Sequence, residues 1–202
     1  MRLPEPALFS TPFSGQEIRL ARGGHDLLSP FSLSFQPGHL IHLQGDNGAG
    51  KSSLLRMLAG LLPAQSGVFS WGTQAVDLLS PFHRSQVSYA GPTPFLGDAQ
   101  RLKKQSSWLK TWKLEALLTQ RQLSEVSQGQ RMRLHLASAL NLARPLWLLD
   151  EPLSGLDLQG QYQLADVLLA HGARGGITVM ASHTPLPLLE SDVRIYIKEN
   201  NI

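Results

Sequence analysis

Apolar runs that alternate with helical patterns predict an α/β fold: a mostly parallel sheet core with an antiparallel β subdomain. Three observations carry that expectation. Strand-length and helix-length segments take turns along most of the 202 residues. The runs at 146–149 (LWLL) and 177–181 (ITVMA) are continuously apolar, as strands buried on both faces are. The opening runs alternate instead, the mark of half-buried antiparallel strands.

In chain order, strands are expected at 18–20, 31–35, 40–43, 68–71, 87–89, 146–149, 177–181 and 193–197. Helices are expected at 52–62, about 99–118, 129–143, 158–171 and briefly near 186–189. The third of these begins at a polar turn, Ser127-Gln128-Gly129-Gln130, and carries apolar Met132, Leu134, Leu136, Ala137 and Leu140.

Composition narrows the function. Apolar residues make up 42% and charged residues 16%, enough to build a core. The absence of cysteine excludes disulfides, thiolate metal sites and thiol catalysis. A net charge of +3 is too small a surplus to argue for nucleic acid, which asks for a dense basic face. No run approaches the roughly 20 apolar residues of a membrane span. The first sixteen residues hold three prolines and no continuous apolar stretch, unlike a signal peptide. A soluble, cytoplasmic chain is the expectation.

The strongest local signal is Gly45-Asp46-Asn47-Gly48-Ala49-Gly50-Lys51-Ser52, which fits G-x-x-x-x-G-K-[ST] between an expected strand and helix. Glycines let successive N–H groups turn inward around a polyphosphate, and the helix start adds partial positive charge. Lys51 would reach the β- and γ-phosphates, and the Ser52 hydroxyl would ligate Mg²⁺; Ser53 follows in the first turn. A plain glycine turn capping a helix is the competing reading. The run at 146–149 ends in Asp150 and Glu151, and carboxylates at the carboxyl end of a parallel strand face the ligand crevice. Asp150 can hold the Mg²⁺ hydration shell and Glu151 can polarise an attacking water, or both can be solvated turn acids. The Ser127–Gln130 turn is a second anion cradle, with a hydroxyl, N–H groups and a helix dipole.

Together these motifs resemble the ATP-binding-cassette ATPases, a branch of the P-loop NTPases with a RecA-like core. Walker A corresponds to 45–52, the signature to 126–130, Walker B with its glutamate to 146–151, the D-loop to 153–157 (LSGLD) and the switch histidine to His183. The resemblance covers about 17–197. It implies one nucleotide-binding domain over 1–202, with a helical subdomain inserted at about 94–143. It implies ATP and Mg²⁺ held by Lys51, Ser52 and Asp150 of one subunit and by Ser127, Gly129 and Gln130 of a twin, in a head-to-tail homodimer. Glu151 would act on the attacking water, His183 would contact the γ-phosphate, and Asp157 would speak across the dimer.

Three positions depart from that pattern. Gln128 replaces the first signature glycine. Thr93 stands where the Q-loop glutamine is expected; its hydroxyl can ligate water or metal over a shorter reach. Arg22 stands near the place of the adenine-stacking aromatic, as a stacked guanidinium or a solvated one. In the insert, Trp108 and Trp112 lie one helical turn apart among Arg101, Lys103, Lys104, Lys110, Lys113 and Arg121. These suit either a membrane-facing amphipathic helix or packing on the signature helix with solvated lysines.

Within the family, GKSSLLRMLAGLLPAQSGVFSWGTQ and ASHTPL are similar to the ATP-binding subunit of the haem exporter of cytochrome c maturation. That likeness implies integral-membrane partners, a peripheral place on the cytoplasmic side of the inner membrane, and hydrolysis tied to release of a haem-loaded chaperone. The seven histidines are scattered and form no haem-ligating set, so partners would handle haem. Another small-cassette transporter, a cassette ATPase acting on nucleic acid, and a poorly hydrolysing regulator are the alternatives.

Overall fold

Two sheets organise the chain in the computed structural model, which describes residues 9–22, 25–93, 112, 127–140, 143–184, 186 and 193–197. The antiparallel sheet is formed by β1 (Phe13–Arg22), β2 (His25–Phe35), β4 (Ser66–Trp71) and β5 (Gln74–Val76), in the order β2-β1-β4-β5. The second is parallel, in the order β6-β7-β8-β3-β9: β6 is Val87–Ala90, β7 Leu146–Asp150, β8 Ile177–Ala181, β3 Leu40–Gln44 and β9 Val193–Tyr196. This is the expected α/β plan with its antiparallel subdomain. The six basic residues of the insert, Trp108 and the helices expected at 99–118 and 186–189 lie outside the described residues, apart from Trp112 and Leu186, which are buried in a cluster with the signature helix.

Two-faced burial explains why the central strands are apolar but for Asp150 and Thr178. All five residues of β7 and all five of β8 are buried. Leu146 and Leu148 join a cluster with Leu54, Leu55 and Leu58 of helix α1 (Lys51–Leu58). Trp147 and Leu149 join a second cluster with Met132, Leu134 and Leu136 of α3 (Gln128–Ala139) and Leu164, Val167 and Leu168 of α4 (Leu158–Gly172). The two-residue period of a strand sends alternate side chains into different cores.

Helix α1 stops four residues before the expected end. Leu61 N–H reaches the Arg56 carbonyl at 2.9 Å and Gly60 N–H the Met57 carbonyl at 2.9 Å, a Schellman closure with glycine in the left-handed region at φ 67°. A Cβ at Gly60 would lie 2.1 Å from the Leu78 carbonyl oxygen, so the stop is imposed by packing as well. Helix α3 likewise ends at Ala139, because Leu140 turns to extended backbone. Two elements escaped the apolar pattern. Strand β5 closes a two-residue hairpin with β4 at Gly72-Thr73. Helix α2 (Pro81–Gln86) is capped by Ser80, whose Oγ accepts from His83 N–H, with Pro81 in the first turn.

Candidate functional site

Strand order alone assembles the site. Because β6, β7, β8 and β3 are neighbours running the same way, their carboxyl ends form one continuous edge. Leu43 is level with Ala181, Ala181 with Asp150, and Leu149 with Ala90. Everything just past those residues therefore lines up: the glycine loop after β3, His183 after β8, Asp150 and Glu151 at the end of β7, and Thr93 after β6.

The glycine loop is held in a shape that side chains would obstruct. Gly45 has φ 142°, and a Cβ there would meet the Ile197 carbonyl oxygen at 2.2 Å. Gly50 caps α1 in the left-handed region with no side-chain hydrogen bond, leaving the first N–H groups of the helix free to face a ligand. Lys51 is largely buried, and its Nζ donates to the carbonyls of Gly45 at 2.6 Å and Asp46 at 2.8 Å. The ammonium thus lies on the loop it would serve.

Asp150 is 2% exposed. Ser52 Oγ donates to its Oδ1 at 3.0 Å, and Tyr89 OH donates to its Oδ2 at 3.5 Å. Arg56 Nε donates in turn to Tyr89 OH at 3.5 Å. Burial pushes the Asp150 carboxyl above the ordinary range, while Ser52, Arg56, Tyr89 and Lys51 pull the other way. Glu151 takes φ 52°, a left-handed conformation that a non-glycine residue adopts only under constraint. Its N–H is fixed to the Ala181 carbonyl at 2.8 Å, and its Oε1 lies 3.4 Å from His183 Nε2.

Nine of the expected residues line one cavity of about 300 Å³: Asn47, Gly48, Gly50, Lys51, Ser52, Ser53, Asp150, Glu151 and His183. Gly45 and Asp46 hold Lys51 there through their carbonyls, and Ala49 of the same loop is buried. Thr93 does not line it: its side chain is exposed in the turn after β6, and a side chain ending at Oγ1 has little reach. The base-stacking expectation for Arg22 rests on a side chain outside the described residues.

The signature turn stands apart from that cavity. Ser127 Oγ accepts from Gln130 N–H at 3.2 Å and Gln130 Oε1 accepts from Ser127 N–H at 3.0 Å, a capping box that starts α3. Gly129 lies close against the D-loop, where a Cβ would stand 2.9 Å from the Gly155 carbonyl oxygen. Asp157 is engaged within its own chain: Oδ1 accepts from Gly160 N–H at 2.8 Å to cap α4, and both carboxylate oxygens bind Arg133. Tyr89, Arg56, Arg133 and His42 escaped sequence reasoning, since nothing local marks a partner far along the chain.

The family model described as ABC transporter matches residues 28–154, well over half of the chain. The chain belongs to the ABC transporter family. Among its curated relatives is the cytochrome c biogenesis ATP-binding export protein CcmA of Nitrobacter winogradskyi, 36% identical over 196 residues, covering 90% of this chain and 96% of the relative. The protein of the same description from Dechloromonas aromatica is 32% identical over 199 residues, covering 88% and 95%. A solved nucleotide-free ATP-binding cassette from an ABC transporter superposes with TM-score 0.77 at 18% identity, over 95% of this chain and 90% of that one. An ABC transporter ATP-binding protein from Pyrococcus furiosus gives 0.72 at 19% identity, over 92% and 97%. These structures bear on the fold. As a member of this family, the chain is an ATP-binding, ATP-hydrolysing transporter subunit.

Proposed function

We propose that this chain is the ATP-hydrolysing subunit of an exporter serving cytochrome c maturation. In this reading it works as one cassette domain, with its helical insert at about 94–143, in a head-to-tail pair beneath integral-membrane partners. It sits on the cytoplasmic side of the inner membrane, and its partners handle haem. The observation that carries the enzymatic part is the meeting of Lys51, Ser52, Asp150, Glu151 and His183 at one cavity. The named relatives support the transport part. Among the described residues no helix is long and apolar enough to cross a membrane, consistent with reliance on partners for that task.

Each side chain has a task its position suits. Lys51 exchanges the Gly45 and Asp46 carbonyls for β- and γ-phosphate oxygens, a stronger charge-assisted contact. Ser52 Oγ and the buried Asp150, 3.0 Å apart, are hard oxygen donors of the kind Mg²⁺ takes, so the corner fits that ion. Bound there, Mg²⁺ would offset negative charge on the phosphates during transfer. Glu151 accepts a hydrogen bond from water and orients it, and His183, close to Glu151, addresses the same end of the cavity. Ser127 is exposed, Gly129 is half-buried, and neither lines the chain's own cavity, which supports their being available to a twin's nucleotide.

Deleting the gene in its host and scoring holo-cytochrome c by haem staining tests the whole reading. Wild type restores the cytochromes and Lys51→Ala does not. Full restoration by the lysine variant would sink the proposal.

A further inference from the structure

We infer that His42 is a positioning residue for His183, acting through the peptide bond that joins Ser182 to it. The inference rests on the reading that His183 serves hydrolysis. His42 lies in β3, three residues before Gly45, between the fully buried Ile41 and Leu43, and is itself 4% exposed. A histidine in such a strand loses free energy unless its ring nitrogens find partners. Its Nε2 lies 2.8 Å from the Ser182 carbonyl oxygen, and since a carbonyl only accepts, Nε2 carries the proton.

The place of this bond gives it a purpose. The β3–β8 ladder ends with Leu43 level with Ala181, so Ser182 is the first residue past the pairing. His42 is level with Met180, and Ser182, two positions on, shares its face of the sheet. On the far side of His183, Ser182 Oγ donates to the Thr184 carbonyl at 2.8 Å and accepts from Thr184 N–H at 3.2 Å. His183 is thus carried on a turn clamped on both flanks, its exposed ring set 3.4 Å from Glu151 Oε1. The strand that leads into the phosphate loop and the residue beyond β8 are tied by this one side-chain bond across 140 positions of sequence. Without the donor, the Ser182–His183 peptide is free to rotate and the ring leaves its setting.

The test compares His42→Leu, which keeps bulk but removes the donor, with His42→Gln, whose carboxamide can donate to the same carbonyl. Both are made in the full chain, alone and combined with His183→Ala. His42→Leu is expected to lower kcat about tenfold while the Kd for ATP stays within about twofold, the pattern of a misplaced catalytic group. His42→Gln recovers most of the rate, and in the His183→Ala background His42→Leu adds nothing further. Wild-type turnover in His42→Leu overturns the inference. So does a Kd that worsens as much as kcat, or a loss that persists undiminished on top of His183→Ala. His183→Ala hydrolysing at the wild-type rate overturns the reading beneath, and this inference with it. Should His42→Leu not fold, His42→Met, flexible and equally without a donor, carries the same comparison.

Discussion

Arg133 and Asp157 grip each other across 24 positions of sequence: Nη2 lies 3.0 Å from Oδ1 and 3.1 Å from Oδ2. The pair joins the signature helix α3 to the start of α4. Asp157 has a second duty there, accepting from Gly160 N–H as the cap of α4. Losing both functions costs more than losing the charge. Asp157→Ala is expected to destabilise by about 1 kcal/mol or more, chiefly through the cap, since an exposed ion pair contributes little. Asp157→Asn keeps the capping oxygen and should cost clearly less. Thermal unfolding ranks the two, and equal losses would assign the stability to the ion pair instead.

Lys51→Ala removes the cation that sits over the loop carbonyls. ATP affinity should fall by orders of magnitude while the fold survives, because Leu54, Leu55 and Leu58 anchor α1 independently. Calorimetric titration beside a circular dichroism spectrum checks both halves. Near-normal affinity would remove Lys51 from the phosphate site.

At Glu151, function and stability pull apart. Glu151→Gln should bind ATP normally and hydrolyse it at least about a hundredfold more slowly, since a carboxamide is a poor proton acceptor. Glu151→Gly should be as stable as wild type or slightly more so, because glycine adopts φ 52° without strain. A single-turnover assay and a denaturant titration separate these effects. A glycine variant less stable by more than about 1 kcal/mol would show that the backbone at 151 is not strained.

How much of this was legible beforehand follows from how local each feature is. The glycine loop announced itself because its pattern is written in consecutive residues, and β7 and β8 because burial on both faces leaves them apolar but for Asp150 and Thr178. The turn at Ser127–Gln130 was legible as a helix start and read as an anion cradle, but the reciprocal capping box within it was not. The stop of α1 at Leu58 rests on the Schellman closure at Gly60, and the approach of the Leu78 carbonyl to that glycine is a contact no periodicity reveals. The partners Tyr89 and Asp150, 61 positions apart, and His42 and Ser182 became neighbours only when parallel strands set their register. Short elements such as β5 and α2 carry too few apolar residues to show a period, although Ser80-Pro81 was a readable helix start.

Gln128 and Gly155 fit one another by size. Gly155 has φ 77°, and a Cβ there would come within 3.0 Å of Gln128 Cγ. Gly155→Ala should cost about 1 kcal/mol from its backbone conformation, with crowding added. Pairing it with Gln128→Ala should recover the crowding share alone. Denaturant midpoints of the four proteins in the cycle give the coupling, and complete recovery would place all of the cost in the side-chain contact.

His171 is expected to weaken the fold in acid. Its ring stacks on Trp147 at 3.7 Å between centroids, with planes 4° apart, and is fully buried. Burial lowers its pKa from 6.5 to about 3. Burial also lowers that of His83, whose Nδ1 accepts from Trp71 Nε1 while Nε2 donates to the Leu58 carbonyl, leaving no room for a second proton. Below pH 6.5 the unfolded chain takes up protons that the native state refuses. Stability is therefore full above 6.5 and drains away as pH falls toward about 3, by a few kcal/mol for His171 alone. His171→Phe keeps a ring against Trp147 and has nothing to protonate, so its stability should fall less steeply across that window. Urea midpoints measured from pH 7 down to pH 4 decide the matter: parallel curves for the two proteins would mean that His171 is not the group being titrated.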